Sequence, residues 1–265
     1  MRSCERMKAF GRVYLCLLIF FLYLPIGVMI AMGFNASPYY QLPFEFSTRW
    51  WHELWQNAEL LEAGKNSVIV AIIVTLIATP VGTAAAVALH RREFPGRNFL
   101  RVMLLPPIAI PWLITGTAML VMFYWSGIGR GFHAMLIGHV ALAIPYVVLV
   151  VSTGLQTIRQ DLEEAAMSLG ATPLFAFFRV TLPLLTPSII GAALFAFAVS
   201  LDQFVISYFL ATPGYTTLPV KIYSAIRKGF TPDINIISTV LLLASMALVL
   251  IYFIFSKFGA KDVRR

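Results

Sequence analysis

Asp161-Leu-Glu-Glu-Ala-Ala-Met-Ser-Leu-Gly170, followed by Ala171-Thr-Pro-Leu-Phe-Ala-Phe-Phe-Arg-Val-Thr-Leu-Pro183, is the one stretch where this apolar chain turns polar, helical and punctuated. Asp161 with Glu164 three residues on has the form of a capping box, so a helix is expected to start here. Leu162, Ala165, Ala166 and Leu169 fall on one face of that helix, and Gly170 is placed to end it with a left-handed turn. Thr172-Pro173 then reads as the N-cap and first-turn proline of a second short helix, running to about Arg179 before Pro183 stops it. Two short helices joined at a glycine make a knuckle, and the flanking chain has to say what carries it.

The flanks are membrane-like. With 265 residues, 59% apolar and 12% charged, and a mean hydropathy of +0.82, the chain is not an ordinary soluble domain. A basic start, Met1–Arg12, precedes an apolar run at 13–32 that is near bilayer length and lacks a convincing cleavage site, which favours a first transmembrane helix over a signal peptide. Pro25 is expected to kink it. A polar interruption follows, becoming helical near 47–61, where Trp50, Trp51 and Trp55 suit an anchor at the headgroup level. Asn66 opens a second span, 68–89, with Gly82 and Ala86 spaced for close helix packing. A third span, 108–125, is entered irregularly through Pro106, Pro107 and Pro111; the fourth, 134–155, is expected to be broken at Pro145. The fifth, 186–210, follows the knuckle, and the sixth, 234–255, follows a polar excursion containing the amphipathic piece 218–228. The fold class is therefore an all-α membrane protein of six transmembrane helices in one domain over 1–265, with the loop 161–183 between spans four and five. Cys4 and Cys16 have no spacing for a metal or a disulfide framework.

Charge sets the orientation. With the N-terminus inside, cytoplasmic segments hold Arg2, Arg6, Lys8, Arg12, Arg91, Arg92, Arg97, Arg101, Arg159, Arg179, Lys257, Lys261, Arg264 and Arg265, 14 of the 20 basic residues. Arg49, Lys65, Arg130, Lys221, Arg227 and Lys228 fall outside. This follows the positive-inside rule, puts both termini and the knuckle in the cytoplasm, and explains the net charge of +8 through membrane topology, with no nucleic acid as partner. No phosphate-binding loop is written in the chain; Glu62-Ala63-Gly64-Lys65-Asn66 lacks the first glycine and the terminal hydroxyl residue, and it lies on the outer side. Any ATP and Mg would be bound by another subunit. Neither a nucleophile with its base nor a metal-ligand cluster is evident, so no catalytic or metal-binding residue is expected.

Glu164-Ala165-Ala166, Gly170 after three residues, and Val180-Thr181-Leu182-Pro183 after nine more resemble the EAA loop of the permease subunits of ABC importers, with Val180 where that family often has isoleucine. The resemblance implies a type I importer permease whose cytoplasmic coupling helix docks into a groove on the ATPase subunit through Glu164, Ala165, Ala166, Gly170, Leu182 and Pro183. The alternative is an amphipathic helix packed on its own protein. Ser200-Leu-Asp-Gln-Phe-Val-Ile-Ser-Tyr-Phe209, Pro213-Gly-Tyr215 and Leu218-Pro-Val-Lys-Ile-Tyr-Ser224 are similar to the second permease of spermidine/putrescine-type importers, and the likeness runs from about Asn66 to Ser256. It implies a bacterial inner-membrane assembly with a second permease, two ATPases and a periplasmic solute-binding protein, surrounded by lipid.

Asp202 is the only acidic residue inside an expected span. A carboxylate near the bilayer centre costs about 2.5–3.5 kcal/mol on insertion scales, so it should face the bundle interior or a watery path. With Gln203 and the rings of Tyr124, Trp125, Tyr146, Phe204 and Tyr208 it forms a candidate substrate pathway, suited to a polyamine by charge pairing and cation–π contact. The alternative for Asp202 is an interhelical hydrogen bond or a pair with the partner permease. Gln203 stands where the family often has a second acid, which leaves a non-polyamine solute open, amino-acid-like, phosphonate or another small molecule. His139 reads as a polar residue bonded to a neighbouring helix, with a proton relay as its alternative. An ATP-independent transporter or channel is the competing function of another class, but it leaves the knuckle without a task and shows no inverted repeat.

Overall fold

The computed structural model describes residues 2–37, 42–91, 93–104, 106–159, 161–228 and 233–262. Of the basic residues counted above, Arg92, Arg264 and Arg265 lie outside them. The described elements are helical: α1 (Arg2–Met32), α2 (Arg49–Gln56), α3 (Ala58–Arg91), α4 (Arg97–Met103), α5 (Pro106–Ala109), α6 (Trp112–Trp125), α7 (Phe132–Thr157), α8 (Asp161–Ser168), α9 (Pro173–Ala176), a π-turn (Phe177–Thr181), α10 (Leu182–Leu201), α11 (Phe204–Leu210), α12 (Leu218–Lys228) and α13 (Asp233–Asp262). Gly11–Met32, Ala58–Arg91, Phe132–Thr157 and Pro173–Leu201 are each long and apolar enough to cross a bilayer. A fifth crossing is counted if Arg97–Ala109 and Trp112–Trp125, which meet at a bend of 109°, are one span. The expected sixth span falls within α13, whose described apolar stretch is Ile234–Ala247.

The chain forms two compact units, Met1–Leu61 with Ile222–Ala244, and Glu62–Lys221 with Ser245–Arg265. In the first, α1 is apolar all round and exposed from Val13 to Leu24, the profile of a lipid-facing span; the helix runs through Pro25 without ending. Asn35 organises the turn behind it: its side-chain oxygen accepts the Glu45 N–H at 3.3 Å, and its carbonyl accepts the Trp50 indole N–H at 2.8 Å. Trp50 is thus an internal buried residue, whereas Trp55 is exposed as an interface anchor would be. The helix expected over 47–61 is two pieces, because Asn57 leaves helical geometry and its side chain accepts the Leu60 N–H at 3.1 Å, capping the start of α3. The second span accordingly begins at Ala58, and Asn66 lies within it. The Asn66 amide donates to the Thr216 carbonyl at 3.3 Å and, at a long 3.5 Å, to that of Gly214.

The second unit is built on α7. Its buried residues recur at three- and four-residue spacing from Ala134 to Leu155, covering most of its circumference. Close approach is written in small residues. A Cβ on Gly154 would lie 2.2 Å from Ser188 Oγ of α10, and one on Gly82 would lie 2.7 Å from Val147, so α10 and α3 both meet α7 at near-backbone distance. Pro145 does not break α7: it removes one N–H, and the ring is buried where neighbouring helices hold the backbone.

Two corrections concern the fifth span. Pro183 does not stop the helix after the knuckle; Pro173–Leu201 is continuous. The π-turn is the reason, since Leu182 N–H reaches back five residues to the Phe177 carbonyl, and the wider turn makes room for a proline that has no N–H to give. The span instead breaks at Asp202-Gln203, where Gln203 is extended (φ −72°, ψ +94°) between α10 and α11. Asp202 closes α10 as its C-cap, its backbone N–H bonding the Ala198 carbonyl at 3.1 Å.

Candidate functional site

The knuckle is built of ordinary parts. Asp161 is the first helical residue, so the capping position falls on residue 160, outside the described residues. Its carboxylate takes a hydrogen-bonded ion pair from Arg159, which holds the carboxyl below the usual aspartate range. Gly170 (φ +94°) closes α8 in a Schellman turn: its own N–H bonds the Met167 carbonyl at 2.9 Å, and Ala171 N–H bonds Ala166 at 3.1 Å. Thr172 caps α9 as expected, accepting Phe175 N–H at 3.3 Å with Pro173 in the first turn. Glu164, Ala165, Gly170 and Pro183 are exposed, while Ala166 and Leu182 are half-buried. Leu169, 91% exposed, stands with Leu174, Phe175 and Phe178 as uncovered apolar surface.

One arginine ties this knuckle to α3. Arg91 pairs with Glu163 at 2.7 Å, donates to Thr181 Oγ1 at 2.9 Å, and lies 5.4 Å from the centre of the Phe177 ring. It therefore grips α8 and the π-turn together. The end of α3 is itself fixed from α4, because Arg97 and Arg101 donate to the Leu89 carbonyl at 2.9 and 2.8 Å, satisfying a terminal acceptor. Between α3, the knuckle and α10 lies a groove of about 980 Å³ lined by Thr83, Val87, Arg91, Glu163, Met167, Phe178 and Leu182. Arg91 was not among the expected site residues; it lies 72 positions before Glu163, and nothing local in the sequence joins them.

The second candidate region is the break in the fifth span. Asp202 is exposed there, while Gln203 is 1% exposed, with neither amide oxygen nor nitrogen bonded among the described residues. The Phe204 and Tyr208 rings lie one turn apart, tilted at 36° with centroids 5.4 Å apart. Tyr146 of α7 packs on Phe195 of α10 at 5.2 Å, and Phe195, Ala198 and Asp202 share an exposed face of that helix. Tyr124 and Trp125 are elsewhere: they end α6, 78% and 83% exposed, next to the turn where Gly131 N–H meets the Leu210 carbonyl. No described contact joins them to Asp202. Sequence reasoning also missed the partners of His139, the hydroxyls of Ser200 and Ser207.

The family described as "binding-protein-dependent transport system inner membrane component" matches residues 78–265. The putrescine transport system permease protein PotI of Escherichia coli K12 is 38% identical over 240 residues, 87% of this chain and 85% of that protein. The spermidine/putrescine transport system permease protein PotC of the same strain is 34% identical, covering 87% of each. Among solved structures, a bacterial ABC transporter that imports the acidic polysaccharide alginate aligns with a TM-score of 0.69 at 19% identity, over 98% of this chain and 99% of that one. The methionine ABC transporter MetNI in an inward-facing form gives 0.55 at 20% identity, over 83% and 98%. At these identities the structural likeness speaks to the fold, which is that of ABC importer permeases.

Proposed function

This chain belongs to the family of binding-protein-dependent transport system inner membrane components, and from that membership we propose that it is the permease through which a polyamine of the putrescine or spermidine class enters the cell. It works beside a second, homologous permease. A periplasmic binding protein delivers the solute, and two ATPases, which bind the ATP and Mg, grip the paired knuckles. The termini and the knuckle face the cytoplasm. ATP binding closes the ATPase pair and the knuckles follow, opening the bundle outward; release of hydrolysis products reverses the motion.

The observation that carries the solute class is Asp202, a carboxylate on an exposed face where the helix of the fifth span ends. Left to lipid it would be costly; facing a path shared with the second permease, it offers charge to a passing ammonium group. Hydrogen bonds to charged groups contribute about 1.5–3 kcal/mol, which corresponds to tenfold or more in apparent affinity. The Phe204–Tyr208 pair beside it supplies ring faces for the same cation. The knuckle supports the drive: its exposed helix, glycine turn and uncovered apolar residues suit a protein partner, and the Arg91 tie transmits displacement to α3.

Proteoliposomes holding both permeases and the ATPases, supplied with the binding protein, test this. Labelled putrescine should enter only with internal ATP, and Asp202→Asn should raise its KM about tenfold while ATP hydrolysis persists. Uptake of an amino acid or phosphonate in place of putrescine would overturn the solute class, and uptake by the chain alone would overturn the ATP-driven reading.

A further inference from the structure

His139 sits in the N-terminal third of α7, 2% exposed, and both of its ring nitrogens meet serine hydroxyls drawn from the two sides of the break. Nδ1 lies 2.9 Å from Ser200 Oγ, in the last turn of α10, and Nε2 lies 3.0 Å from Ser207 Oγ, in α11. The proton positions follow by elimination. A hydroxyl has one proton to donate, and Ser207 donates its own to the Gln203 carbonyl at 2.9 Å, so its oxygen accepts from the imidazole Nε2–H. A neutral imidazole with Nε2–H has a bare Nδ1, which accepts from the Ser200 hydroxyl. The donors therefore run one way, from Ser200 through His139 and Ser207 to the carbonyl of the unwound residue. All of these groups are buried, where an unmatched donor or acceptor is costly and a matched chain is rigid. Along the backbone the same junction is weakly held, the Gln203 N–H reaching the Ser200 carbonyl at only 3.4 Å.

We infer that His139 is a positioning residue for transport: as the neutral Nε2–H tautomer it ties α10 to α11 across the break and so holds Asp202 on the open face where the solute passes. The inference rests on the reading of Asp202 as solute-facing, but the tie itself does not depend on which solute is carried. A histidine that merely filled space would have no use for one particular tautomer, nor for hydroxyls on both sides of an interruption.

Two measurements on the assembled importer in lipid decide it. Nitrogen-15 spectra of histidine-labelled protein should show His139 with a protonated Nε2 and a bare Nδ1; the opposite tautomer, or an imidazolium at neutral pH, would overturn the tie. In uptake assays normalised to assembled permease, His139→Leu should raise the KM for putrescine about tenfold with little change in basal ATP hydrolysis. His139→Gln, whose carbonyl can accept from Ser200 while its amide donates to Ser207, should restore most of the affinity. Equal loss in both variants, or loss in neither, would overturn the positioning role. Should His139→Leu fail to assemble, Ser207→Ala carries the test, since it leaves α7 intact: a raised KM supports the tie and an unchanged KM overturns it. An importer that takes up no putrescine overturns the solute reading alone, and the tautomer spectrum still decides the tie.

Discussion

The chain interrupts its helices in two places that matter, and it holds them by opposite means. At the knuckle the interruption is exposed: a glycine with positive φ turns the backbone, a threonine caps the next helix, and one arginine braces the structure from α3. At Asp202-Gln203 the interruption is flanked by buried hydroxyls and an imidazole, and the buried Gln203 amide has no hydrogen-bond partner among the described residues. An exposed turn can rely on backbone geometry and water for its leftover polar groups. A buried turn cannot, so its side chains must do that work or leave groups unmatched. The first arrangement leaves apolar surface uncovered; the second ties two helices through buried side chains.

That contrast can be broken from either side. Arg91→Ala should have the largest effect, removing an ion pair whose side chains are 26% and 19% exposed, together with a hydroxyl bond and a ring contact. A loss of about 2 kcal/mol in local stability is expected, below the full cost of breaking a buried pair. Faster hydrogen exchange across 161–181 and uncoupled ATP hydrolysis would reveal it. Gln203→Leu should act in the other direction on stability, since it deletes two orphaned polar atoms. A gain of about 1–2 kcal/mol in detergent unfolding, accompanied by slower uptake, would mark Gln203 as retained for transport. Gly170→Val forces a β-branched residue to φ +94° and should cost about 1–2 kcal/mol. Its sign should be weakened ATPase recovery in pull-down with membrane insertion unchanged. Thr172→Ala should cost about 1 kcal/mol through the lost cap, visible as faster exchange of α9 alone.

The smallest effect is electrostatic. Because Arg159 lowers the folded-state value of Asp161, their pairing stabilises the knuckle above the ordinary aspartate range and is lost only as pH falls through the depressed value. Hydrogen exchange of 161–168, corrected for intrinsic rates, should stay flat from neutral to mildly acidic pH and rise only in stronger acid.

Much of this was legible in the sequence because it is local. The glycine turn, the threonine cap and the small residue at Gly82 each announce themselves within a few positions. Apolar runs marked the spans, although α1 is distinguished as a span by being uncovered and α7 by being packed, a difference composition does not carry. What stayed hidden depends on distance along the chain. Arg91 finds Glu163 and Thr181 across 72 and 90 positions, and His139 finds Ser200 and Ser207 across 61 and 68. Proline misled in both directions: Pro145 and Pro183 were expected to break helices that continue, while the real break has no proline and rests on a polar pair. Tyr124 and Trp125 were grouped with Asp202 by residue type; they end α6, and no described contact joins them to it.

The π-turn at Phe177–Thr181 has a consequence for how the chain can be altered. An α-helix advances about 100° per residue, so adding or removing one residue in α10 would swing Asp202 off its face. A π-turn already stores one residue beyond the α-helical count. Removing a residue there converts the turn to ordinary helix and leaves the orientation beyond it nearly unchanged. One residue can thus be lost at this turn without re-aiming Asp202, at the cost of the room that Pro183 occupies.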